Sequence, residues 1–177
     1  TNAIEMVARN LIPAVKDPDD HAARSELLLA ATFAGVGFGN AGCHIPHGMS
    51  YPVSGMIKDF KLKGYPDDEP LCPHGISVVL NAPAVFRFTA PANPERHIRA
   101  AELMGVKGTD VSFDDAGELL ADTIITLIRA LDMPNGLNGI GYTNDDIDGL
   151  VTGALPQKRV LELSPLPVGR HELKQLF

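Results

Sequence analysis

Histidine and cysteine crowd one stretch of the chain. His44 and His47 lie within Cys43-His44-Ile45-Pro46-His47-Gly48, and His74 lies within Cys72-Pro73-His74-Gly75, so three of the six histidines fall close together. Imidazole nitrogens ligate zinc, iron and related cations. His47 and His74 each follow a proline, which suits the first turn of a helix. Each also precedes a glycine, which leaves room beside the ring. Two imidazoles held at helix starts are what a metal centre wants, although without a carboxylate partner they are not a complete shell. Plainer readings stand beside this one: a histidine satisfied in the core, or one in solvent. A self-contained zinc site built from His44, His47, His74 and a cysteine is a third. Cys43 and Cys72 read either as soft ligands or as buried reduced thiols, since two cysteines make no disulfide framework. Asp19-Asp20-His21 reads as a helix cap and Asp67-Asp68-Glu69 as a solvated loop, and His21, His97 and His171 are expected at the surface.

A second pattern, Gly37-Phe38-Gly39-Asn40-Ala41-Gly42, fits the G-x-G-x-x-G dinucleotide fingerprint. That fingerprint works only where a strand runs into it and a helix leaves it, with an acidic residue about 20 positions on. Asp59 has a suitable offset. The preceding residues, Ser25 to Gly35, are long, alanine- and leucine-rich and helical in pattern. The glycines therefore read as a place where another backbone, or a ligand, approaches a helix closely.

The elements that position these residues are helices. Ile4, Val7, Ala8, Leu11, Ile12 and Val15 recur at helical spacing over 2–16, with Pro13 as a candidate kink. Asp19 or Asp20 is placed to cap a helix over 20–35, hydrophobic almost all round from Leu27 to Ala34 and so expected to be buried on most sides. Further helices are expected to start at Pro46 and at Pro73 (bent at Pro83), to cover 94–105 and 114–132, to follow a Thr143 cap, and to close the chain from Arg170. Strand signals reduce to Val78-Val79-Leu80 and Val160-Leu161, neither alternating. The expectation is an all-α bundle of about seven or eight helices, with no internal repeat and no domain boundary. The 177 residues carry 45% hydrophobic and 21% charged residues, the balance of a folded globular domain. The net charge of −7 and the lack of a basic stripe speak against nucleic acid as a partner. No apolar run approaches a membrane span and no basic stretch followed by an apolar one opens the sequence, so neither a span nor an intact secretory signal is expected. The sequence starts inside a helical pattern, which suggests a fragment.

The segments His47-Gly48-Met49-Ser50-Tyr51-Pro52-Val53-Ser54-Gly55 and Pro73-His74-Gly75 resemble the iron-containing (group III) alcohol dehydrogenases, and the resemblance covers essentially the whole chain. Phe33 to Gly42, Gly48 to Pro52, and Pro94-Glu95-Arg96-His97 are most similar to the hydroxyacid–oxoacid transhydrogenase branch. The long His47-to-His74 connection, carrying Lys58, Lys61, Lys63 and Tyr65, suits that branch too. The resemblance implies a C-terminal helical domain, residues 1–177, that binds metal and works with an N-terminal dinucleotide-binding domain absent from this chain. It implies His47 and His74 as the two later metal ligands for Fe2+ or Zn2+, with an aspartate and a histidine upstream of Thr1 as the others. It also implies that NAD(P) is bound mainly by the missing domain, so that this chain itself contributes no cofactor-binding residue. Tyr51 stands where many relatives carry a proton-relaying histidine. A phenol offers a hydroxyl for the same relay but titrates far higher than imidazole. His47 and Tyr51, four apart, share a helical face.

The function implied is hydride transfer between a hydroxyl carbon of an alcohol or hydroxyacid and a nicotinamide. Lys58, Lys61 or Lys63 is a candidate charge partner for a substrate carboxylate. A non-catalytic helical interaction module and a general iron-containing alcohol dehydrogenase are the alternatives. The isolated chain is expected to be inactive, the full-length protein to be a homo-oligomer, nucleic acid and membrane to be absent as partners, and the compartment to be cytoplasmic, with the mitochondrial matrix as the alternative.

Overall fold

A computed structural model describes residues 1–66, 68–108 and 110–177. Asp67, in the expected solvated loop Asp67-Asp68-Glu69, lies outside the described residues; Asp68 and Glu69 are exposed. Among the described residues the regular structure is helical, with no strand. Val160-Leu161 sits in a short helix and Val78-Val79-Leu80 inside a long one. No single helix is long and apolar enough to cross a membrane.

The sequence shows no boundary, yet the packing resolves two compact units, each assembled from two separate stretches of chain. The first comprises Thr1–Gly42 and Ala90–Met133, the second Cys43–Thr89 and Pro134–Phe177. Because the chain passes from one unit to the other and back, no linker composition marks the transitions.

In the first unit, α1 (Asn2–Lys16) continues through Pro13, with Glu5 in its first turn and Lys16 in its last, matching the helix dipole. α2 (His21–Ala41) is capped by Asp20, whose carboxylate accepts the Ala23 N–H at 2.9 Å. The glycine-rich stretch does not break α2. The helix runs six residues past its expected end and stops at Gly42, whose φ of 77° is a conformation glycine adopts at no steric cost. Nor is α2 buried on most sides: it packs chiefly along α1, and only Ala23 and Ala30 are fully enclosed. α5 (Pro94–Leu103), capped by Asn93, packs on α6 (Ala116–Ala130), which buries Leu120, Ile124 and Ile128 as its stripe requires.

In the second unit, α3 (Ile45–Gly55) is the hub, packing against α4 (His74–Thr89), α7 (Ile147–Ala154) and α8 (Lys158–Leu161). α9 (Arg170–Leu176) closes on α4 and α7. One core cluster gathers Ile45, Met49, Val85, Val151, Leu161 and Leu173, and a second gathers Val53, Cys72, Leu80, Ile140, Tyr142 and Leu150. Thr143 acts as the expected cap: its N–H donates to the Asp146 carboxylate at 2.9 Å in the turn that leads into α7.

Candidate metal centre

The second unit brings His47 and His74 together from the first turns of two helices. Pro46 sits at the start of α3 and Pro73 immediately before α4. Each histidine is held by the residue three positions on. Ser50 Oγ donates to the His47 carbonyl oxygen at 2.7 Å, and Ser77 Oγ donates to the His74 carbonyl oxygen at 2.8 Å. Both serines are fully buried. The two segments thus share the pattern His-Gly-x-Ser. The repeated spacing is visible in the sequence, but there the glycines mark the site and the serines do not.

Gly48 and Gly75 play different parts. A Cβ on Gly48 would lie 2.8 Å from Leu161 Cδ2, so α8 packs directly on this turn. A Cβ on Gly75 would meet nothing within 4 Å.

The imidazole rings have centroids 5.4 Å apart, inclined at 63°. Two imidazoles on one tetrahedral cation, with metal–nitrogen bonds of about 2.1 Å, have centroids roughly 5 Å apart, so the pair fits two adjacent ligand positions. His47 is half-buried, and burial, followed by repulsion from His74, pushes its pKa below the ordinary imidazole value. It is therefore neutral at neutral pH, the form that offers a lone pair. His74 is exposed, and Tyr51 lies beside it with ring centroids 6.3 Å apart and planes 30° from parallel. Tyr51 is itself 41% exposed.

Among the described residues no third histidine, cysteine, aspartate or glutamate completes a metal-holding group. A self-contained zinc site is thus not formed: His44, half-buried at the N-cap of α3, does not join the pair in such a group. Cys72 is a core thiol whose pKa burial raises, and Cys43 is half-buried and free. His21 and His171 are exposed as expected. His97 is half-buried, its Nδ1 2.8 Å from the Asn93 carbonyl oxygen, because it stands one turn along from the cap of α5. Lys58 is engaged: its ammonium pairs with Asp146 at 2.7 Å and lies 5.8 Å from the centre of the Tyr142 ring. The Gly37–Gly42 pattern occupies the end of α2 rather than a strand–helix turn, so the phosphate cradle it would need is absent there.

All 177 residues match the sequence profile of the Fe-containing alcohol dehydrogenase family, C-terminal. The chain belongs to the iron-containing alcohol dehydrogenase family. It is 51% identical over 176 residues to the mitochondrial hydroxyacid-oxoacid transhydrogenase of Homo sapiens, covering 99% of this chain and 38% of that protein. It is 49% identical to a probable mitochondrial hydroxyacid-oxoacid transhydrogenase of Dictyostelium discoideum, covering 99% of this chain and 32% of that one. A solved 1,3-propanediol oxidoreductase superposes with a TM-score of 0.85 at 28% identity, over 99% of this chain and 42% of its own. The chain therefore matches a C-terminal helical portion of oxidoreductases much longer than itself, a family that uses a metal and a nicotinamide-type cofactor in general.

Proposed function

We propose that this chain is the metal-binding half of a nicotinamide-dependent oxidoreductase acting on hydroxyacids, with an oxoacid as the final hydride acceptor. The carrying observation is the His47–His74 pair, 5.4 Å apart with Tyr51 against it, in a chain half identical to hydroxyacid-oxoacid transhydrogenases. His47 and His74 would hold the cation, Fe2+ or Zn2+, with further ligands from outside the described residues. When bound, such a cation supplies Lewis-acid polarisation of a hydroxyl oxygen. NAD(P) would be held by an N-terminal domain, since nothing in the Gly37–Gly42 region forms a phosphate cradle.

The residues of this chain then act as follows. The buried serines fix the first turns of α3 and α4, so the two imidazoles keep their mutual angle. Tyr51 Oη would receive or return the proton of the substrate hydroxyl as the hydroxyl carbon is oxidised. The hydroxyl carbon would be oxidised to a carbonyl, with nicotinamide, when bound, supplying the hydride carriage between hydroxyacid and oxoacid. Lys58 pairs with Asp146 at the surface of the second unit. The mitochondrial relatives favour the mitochondrion over the cytoplasm for this protein, and the working form is read as a homo-oligomer.

The test is turnover by a polypeptide joining this chain to the N-terminal region of the human relative. A hydroxyacid with and without an oxoacid is compared with ethanol. His47→Ala or His74→Ala should remove most of the rate and most of the bound metal by elemental analysis. Tyr51→Phe should keep the metal and slow turnover by about 10²–10⁴-fold. Full turnover of ethanol with no response to the oxoacid would leave a general alcohol dehydrogenase instead.

A further inference from the structure

A hydroxyl inside a helix ordinarily bonds to a carbonyl three or four residues back on that same helix. Ser50 and Ser77 do so, as do Thr32 to Leu28 at 3.1 Å, Thr123 to Leu119 at 2.6 Å and Thr152 to Asp148 at 2.7 Å. Ser54, in the last turn of α3, departs from that habit. Its Oγ donates to a carbonyl 18 residues further along the chain, the Cys72 oxygen at 3.0 Å. Both ends of this bond lead to the histidine pair. Ser54 lies seven positions after His47, two turns along α3 on the same face and about 10 Å away along the axis. Cys72 lies two positions before His74, and its side chain is buried in the core cluster of Val53, Leu80 and Tyr142. Between Cys72 and His74 stands Pro73. A proline locks its own φ and confines the residue before it to extended conformations. Little backbone freedom therefore separates the Cys72 carbonyl from the start of α4. Residues 56–71 form neither α-helix nor strand among the described residues, so the connecting chain does not by itself set where α4 begins.

We propose, resting on the reading of His47 and His74 as ligands of one cation, that Ser54 is a positioning residue for the metal centre. Its bond to Cys72 sets how the His74 ring approaches the His47 ring. The apolar contacts between α3 and α4 are non-directional and allow one helix to slide on the other. A hydrogen bond is directional and weakens steeply when its geometry is lost, so it pins the register that apolar packing leaves free. A site whose supporting contacts are loose by about 1 Å loses its ligand geometry. The far end of α3 is itself held, because the Val53 carbonyl accepts the Tyr142 hydroxyl at 2.7 Å. Ser54 thus joins a fixed helix end to the short, stiff segment that delivers His74. A packing role alone would predict a loss of stability with the ring pair unmoved.

Two measurements on Ser54→Ala decide between these, with Tyr142→Phe as the control. The control removes a hydrogen bond to the same turn of α3 but none to the Cys72 carbonyl. In the 177-residue chain, the nuclear Overhauser contact between the His47 and His74 rings should be lost in Ser54→Ala. It should persist in Tyr142→Phe and in Ser54→Thr, which keeps a hydroxyl. In a hybrid joining this chain to the N-terminal region of the human relative, Ser54→Ala should weaken Zn2+ binding by about tenfold, while the other two variants bind as wild type. Ser54→Cys, a weaker donor, should fall between, and it carries the test should Ser54→Ala not fold. An unchanged ring contact in Ser54→Ala, or in Ser54→Cys where that variant stands in, overturns the proposal. So does an equal loss in Tyr142→Phe. A wild-type hybrid that takes up no Zn2+ would sink the metal reading alone, because the ring contact still judges Ser54.

Discussion

Ser50 and Ser77 are small, common residues, and only their burial gives them weight. Each hydroxyl donates to a carbonyl that opens the turn beneath a histidine, so each ties a ring-bearing residue to its own helix start. Ser77→Ala removes a buried hydrogen bond and should cost about 1 kcal/mol of stability in urea unfolding. It should also loosen the His74 ring, seen as a weakened nuclear Overhauser contact between the His47 and His74 imidazoles. An unchanged ring contact would reduce Ser77 to ordinary packing. The histidine pair itself was legible in the sequence, because prolines before and glycines after mark helix starts with open space. The serines were not, since serine is usually a surface residue and only the packed unit buries these two.

At the scale of elements, α3 carries His47 and Tyr51, and its seating depends on how closely α7 approaches. A Cβ on Gly153 would lie 2.7 Å from Pro52 Cβ and 3.6 Å from Pro52 Cα. The proline ring cannot rotate away. Gly153→Ala should therefore push α7 off α3 and cost about 1–3 kcal/mol, the range for overpacked cores, read from the urea midpoint. Gly149, one turn earlier on the same helix, provides the control. Its Cβ would meet only the mobile Met56 Cε at 2.9 Å, so Gly149→Ala should be milder. Comparable losses at both sites would mean that the approach of α7 is not what seats α3. Caps and prolines made most helix starts readable: Asp20, Pro46, Pro73, Asn93–Pro94 and Thr143 all stand where the chain enters a helix or the turn leading into one. Helix ends were harder. Three glycines in five residues look like a loop, and α2 continues through them to Ala41 because a helix tolerates each glycine at a modest cost in local stability.

For the molecule as a whole, the two-unit arrangement was illegible in the sequence because each unit is built from separate stretches, and composition records neighbours in sequence rather than in space. The second unit is stitched where its stretches meet. Tyr142 donates its hydroxyl to the Val53 carbonyl at 2.7 Å, and Lys58 pairs with Asp146. Tyr142 is only 3% exposed, and burial, with Cys72 and Asp146 adding to it, pushes its pKa up to about 12. An unfolded tyrosine titrates near 10. The folded state therefore holds this proton more tightly, and its stabilising contribution is complete below about pH 10 and lost as pH rises toward 12. A shift of that size corresponds to roughly 2–3 kcal/mol. Urea midpoints of the wild-type chain should fall across pH 10 to 12, and Tyr142→Phe should flatten most of that fall while lowering the plateau at pH 8 by about 1 kcal/mol through loss of the bond to Val53. The Cys72 thiol, also raised by burial, leaves a residual decline beginning above pH 9 in both proteins, which Cys72→Ser would remove. An alkaline fall of the same depth in Tyr142→Phe would mean that the stitch at Val53 does not depend on the phenol keeping its proton.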